Sequence, residues 1–147
     1  MSLRLCAWLS LGLVIGCGGG GNDGPDFSAN FTGQWNGTVI VTVNGQSQST
    51  PGLSVHITPT GKNALVIGDI CSDLSGPPAS VTGASTLTIG AKACPPAPVT
   101  GCSAVTLSVT KGTGVVSGNT LSFVFDGTVA GCSQSVGFSA SFTGTRV

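Results

Sequence analysis

The stretch from Trp35 to Val43 alternates apolar and polar residues without a break. Trp35, Gly37, Val39, Val41 and Val43 fall on one side of an extended chain, and Asn36, Thr38, Ile40 and Thr42 on the other. Asn44-Gly45 follows at once, the strongest short hairpin signal. A chain that starts its domain this way is committed to antiparallel strands with one dry face and one wet face. The same period returns along the sequence. Leu53, Val55 and Ile57 point in while Ser54, His56 and Thr58 point out. Leu87 and Ile89, then Val105, Leu107 and Val109, then Leu121, Phe123 and Phe125, then Val136, Phe138, Ala140 and Phe142 mark later inner faces. Turn residues at 60–63, 83–84 and 118–119 separate these runs. Ala64 to Ile70 is apolar on both sides except at Asp69, so the pattern does not assign its inner face. Gly112 and Gly114 predict a bend or bulge. The three prolines between Cys94 and Cys102 predict an irregular loop.

These runs predict an all-β domain over residues 31–147, a single antiparallel up-and-down β-barrel or curled sandwich of about eight strands. Closure removes the exposed sheet edges. At eight strands the interior is either packed with side chains or holds one small ligand. No segment carries a helical apolar repeat.

The N-terminus is built differently. Arg4 is followed by an apolar run of about 11 residues, Leu5 to Ile15, against the roughly 20 that a spanning helix needs. Residues 1–16 therefore read as an export signal. Val14-Ile15-Gly16-Cys17 resembles the lipobox of bacterial lipoproteins, matching at all four positions. The resemblance implies that Cys17 is lipidated and becomes the mature N-terminus, with the membrane as a partner. It also implies a cell-envelope address. Gly18 at the second mature position, where that family often carries Asp for inner-membrane retention, favours the outer membrane. Residues 17–30, rich in glycine, read as a flexible tether.

Gly33-Gln34-Trp35 resembles the first strand of lipocalins and avidins, where the Trp plugs one end of a barrel. That resemblance implies a small apolar ligand, with Trp35, Phe123, Phe125 and Phe138 as candidate contacts.

Little else in the chain suggests chemistry. Charged residues make up 7% of it, balanced at five of each sign, so no basic patch exists to hold nucleic acid. His56 is the only histidine, should face outward, and has no carboxylate or Cys near it in sequence for a triad or a metal site. Asp69 and Asp73 flank Cys71 and read as a polar loop beside a disulfide. The outward alternation of His56 argues against a cleft that gathers His56, Asp69 and Asp73. No metal, cofactor or catalytic residue is expected. The expected role is a non-catalytic structural or adhesion module of the envelope. The alternative is a lipocalin-like binder of a small apolar ligand. The partner beyond the membrane is then an envelope protein or that ligand.

An exported chain meets an oxidising compartment, so Cys71, Cys94, Cys102 and Cys132 should form two disulfides. Alternating strand directions put all four at the barrel end far from the tether. Folding the chain about Gly118-Asn119 brings Cys102 near Cys132, which leaves Cys71 with Cys94. The pairing Cys94–Cys102 with Cys71–Cys132 stays open, because the proline loop draws Cys94 and Cys102 together.

Overall fold

The computed structural model describes residues 24–71 and 75–147. The proposed signal and lipidated Cys17, with most of the tether, lie outside them, as does Asp73. The described chain is an antiparallel β structure of ten strands. They are β1 (Gly33–Val43), β2 (Gln46–Gly61), β3 (Ala64–Ile67), β4 (Pro78–Val81), β5 (Thr86–Ile89), β6 (Lys92–Ala93), β7 (Ala97–Val99), β8 (Cys102–Ser117), β9 (Thr120–Gly131) and β10 (Gln134–Arg146).

Eight of the ten form a closed ring. Each strand from β1 to β5 pairs with the next, β5 pairs with β8, β8 with β9, β9 with β10, and β10 returns to β1. The first and last strands meet along nine positions, from Trp35 opposite Arg146 to Val43 opposite Phe138. The ring confirms the up-and-down barrel. The two extra strands, β6 and β7, are short pieces laid against β8. β7 corrects the loop expected between Cys94 and Cys102. Pro98 lacks an N–H, yet it fits because β7 is an edge strand, bonded on one side only.

The ring has walls of unequal height. β1, β2, β8, β9 and β10 run 11 to 16 residues, whereas β3, β4 and β5 have four residues each. The upper parts of the long strands therefore stand as an open trough above the short wall. Several register shifts interrupt the long strands, and two of them lie in the tall wall's ladders. Gly52 is the extra residue between Pro51 and Leu53, at a positive φ of 74° that glycine adopts without strain. In β8 the extra residue is Thr110, not Gly112 or Gly114. Those glycines instead pair across the ladder with Phe125 and Phe123, and a Cβ on Gly112 would come within 2.7 Å of the Phe125 Cβ. The inner face thus alternates large against small across neighbouring strands.

The lower end is packed solid. Trp35, Phe31, Ile57, Leu65, Ile67, Leu87 and Leu121 are all buried there or just above. A 3-10 helix, Ser28–Asn30, closes this end. Trp35 Nε1 donates to the Phe31 carbonyl at 2.8 Å, and the Arg146 guanidinium lies 4.5 Å from the Trp35 ring. Asn30 Nδ2 donates to Ala84 O in the β4–β5 turn, and Phe27 N donates to Asn63 Oδ1 in the β2–β3 turn. Residues 26–30 were expected to finish the tether. They belong to the barrel's base instead, because Phe27 and Phe31 pack against its core and the backbone polar groups of this segment find partners there.

Both disulfides form as the folded-hairpin argument predicts, Cys71 with Cys94 and Cys102 with Cys132. All four cysteines sit at the open end, opposite the N-terminal approach.

Candidate functional site

The inner residues of the long strands change character toward the open end. Below, they are Trp, Leu, Ile and Phe. Above, β1 contributes Val39, Val41 and Val43, and Ala140 faces Val41 across the ladder on one side and Phe125 on the other. Side chains this short do not reach the centre of an eight-strand barrel. What remains is a hollow of about 270 Å³. The hollow is also lined by Leu53 and Val55 from β2, Leu107 from β8, and Phe123, Phe125, Val129 and Phe138.

Three of the four candidate ligand contacts are therefore in the wall: Phe123, Phe125 and Phe138. Phe125 and Phe138 meet edge to face at 6.0 Å, while Phe123 stacks on Phe142 at 5.0 Å. Trp35 is not in the wall. It is fully buried at the closed base, where it plugs the barrel.

The short wall contributes Asp69 and Ile70, which follow β3. Asp69 takes a positive φ of 66°, a conformation that Asp adopts more readily than bulkier residues, and this turns its side chain back toward β2. Two His56 donors converge on one carboxylate oxygen, Asp69 Oδ2: the backbone N at 3.0 Å and ring Nδ1 at 2.7 Å. Gly68 N donates in return to His56 O. His56 does face outward, as the alternation requires, with a side chain 54% exposed. The expectation that it meets no carboxylate is corrected, because the positive φ at Asp69 carries that carboxylate round to it. Among the described residues, Ser54 and Asp69 are the two polar ones lining the hollow.

A second apolar groove, of about 180 Å³, adjoins the first. Ile70, Leu107 and Val129 line both, and the Cys71–Cys94 bridge flanks the groove. Among the described residues, no group of three His, Cys, Asp or Glu side chains is placed to hold a metal ion.

The sequence already placed Val39, Val41, Val43, Leu107 and Ala140 inward, but nothing there marked them as lining a space. The available signal was their size: a row of valines on one strand facing an alanine on the next. Asp69 and Ile70 carried no readable signal, because their segment has no alternation.

No protein-family model and no curated protein matches the chain. Among solved structures it is similar to the crystal structure of a "putative outer membrane protein" from Bacteroides fragilis, with a TM-score of 0.52 at 16% identity. The match covers 82% of this chain and 53% of that one, so this chain spans about half the length of its neighbour. At that identity the likeness is one of fold.

The polarity of the barrel bears on what such a fold does here. A membrane-spanning barrel turns an apolar band outward and keeps a polar lumen. This barrel is the reverse. Its core and hollow are apolar, and its outer faces carry rows such as Ser139, Ser141 and Thr143 beside Ser122 and Asp126, with single exposed apolar residues such as Ile40 and Val124 among them.

Proposed function

We propose that this protein is an envelope β-barrel that holds a small apolar molecule in its lumen. One observation carries the reading: the upper lumen is an open hollow of about 270 Å³ in which, among the described residues, every lining one except Ser54 and Asp69 is apolar. An apolar wall left facing water is unfavourable by roughly 25 cal/mol for each Å² a guest would cover, which is the driving force for occupancy. A barrel serving only as a structural or adhesion module has no need of such a space, since a filled core is more stable. The envelope assignment is supported by the lipobox-like Val14-Ile15-Gly16-Cys17 and by the fold it shares with the Bacteroides protein. The inverted polarity supports attachment through a lipid rather than through the barrel wall.

The test fills the hollow. Ala140 is buried, faces Val41 and Phe125, and has room in front of it. Ala140→Phe should keep the β-type circular dichroism spectrum and abolish the fluorescence that N-phenyl-1-naphthylamine gains on entering an apolar site. A wild-type chain that gives no such gain, or a folded variant that gives the same gain, rejects the reading.

A further inference from the structure

We infer that the lumen selects apolar molecules ending in a neutral or cationic donor and refuses carboxylates of the same length, with Asp69 as the specificity-determining residue. This rests on the lumen being a binding site. Among the described residues, Asp69 supplies the sole carboxylate of the wall, and no Lys or Arg lines it. Its position is fixed rather than free to swing out to solvent. The two His56 donors hold Oδ2, and the side chain is only 30% exposed at the rim. A guest whose tail fills the hollow places its polar end at this rim, because every other described lining position except Ser54 is apolar. A hydroxyl or ammonium there gains a charge-assisted hydrogen bond. A carboxylate there meets a like charge across a partly dry mouth, where screening by water is reduced.

Octylamine, octanol and octanoate are a matched set for the test, titrated calorimetrically into the full chain. Octylamine and octanol should bind, and octanoate should bind more weakly by roughly tenfold or more. Asp69→Asn keeps an oxygen to accept from His56 N and tolerates a positive φ. In that variant octanoate should come within about threefold of octanol. Continued octanol binding shows that the variant is folded. Equal binding of all three by the wild type, or unchanged discrimination in the folded Asp69→Asn variant, overturns this inference and leaves the lumen a binding site. Binding of none of the three overturns the reading beneath it.

Discussion

At the scale of single residues, the base of the barrel is held by a small polar latch. The Asp26 carboxylate accepts from Ser28 N at 2.9 Å and from Asn63 N at 3.2 Å. Asn63, at a positive φ of 54°, accepts from Phe27 N through Oδ1 and donates to Pro25 O through Nδ2. The Ser28 amide first, and the Asn63 amide with it, hold the Asp26 carboxyl below its ordinary pKa. A carboxyl lowered on folding adds stability above its unfolded pKa, and loses it as pH falls through the folded one. Asp26→Asn should therefore melt earlier than wild type at neutral pH, with the gap closing on acidification. Thermal melts from about pH 7 to about pH 3 check this, bracketing the ordinary carboxyl range. A constant gap at all pH would assign the effect to packing. This latch was not legible in the sequence. Asp26 and Asn63 are 37 residues apart, and only the folding of β2 back along β1 brings the β2–β3 turn to the segment before β1. Trp35 was legible, because a large aromatic at the start of a clean alternation has few places to go but the core. Its role as plug rather than ligand contact depended on which end of the barrel stays open.

At the scale of elements, the turns and long strands were readable because each carries its own chemistry: Asn44-Gly45 for the first hairpin, Gly118-Asn119 for the β8–β9 hairpin. The bulges at Gly52 and Thr110 were not, since a bulge is settled by the partner strand's register. Strand direction put all four cysteines at one end, and the fold about Gly118-Asn119 favoured Cys102 with Cys132; the rival pairing stayed open until the structure showed the bridges. The bridges should matter most where the wall is thin. Cys71–Cys94 ties the segment after β3, which carries Asp69 and Ile70, to the piece that follows β6. It closes 23 residues of sequence. The chain-entropy relation gives about 3 kcal/mol for a loop of that size. The double substitution of Cys71 and Cys94 to Ala should lower the stability by about that amount in denaturant titration. It should also weaken apolar-probe binding, since Ile70 lines both the lumen and the groove. Loss of Cys102–Cys132, which spans 30 residues at the ends of the tall wall, should cost a similar amount in stability and leave probe binding in place. If the two pairs of variants were indistinguishable in probe binding, the short wall would have no special part in forming the site.

At the scale of the molecule, the barrel class was legible because period-two runs joined by short turns leave little else to build. Its hollow was not legible. Whether Val39, Val41, Val43 and Ala140 meet side chains or space across the lumen depends on how far β3, β4 and β5 rise, and those strands stop after four residues each. The same inequality predicts how the native state opens. β9 lies between β8 and β10, paired along 12 positions to each, whereas β4 pairs with β3 and with β5 along three positions each. Few contacts and short ladders lower the free energy of local opening, while amides in long central ladders exchange only when the whole fold comes apart. Hydrogen exchange followed by mass spectrometry should therefore show two tiers. Peptides from β9 and β10 should exchange at the global rate, and peptides from β4 and β5 orders of magnitude faster. Occupying the lumen with octanol should slow exchange around Gly68 to Ile70, where the guest's polar end is held, and leave the β9 rate changed only by the added global stability. A single tier, with β4 and β5 as slow as β9, would mean that the ring opens only as a whole and that the short wall is no weaker than the tall one.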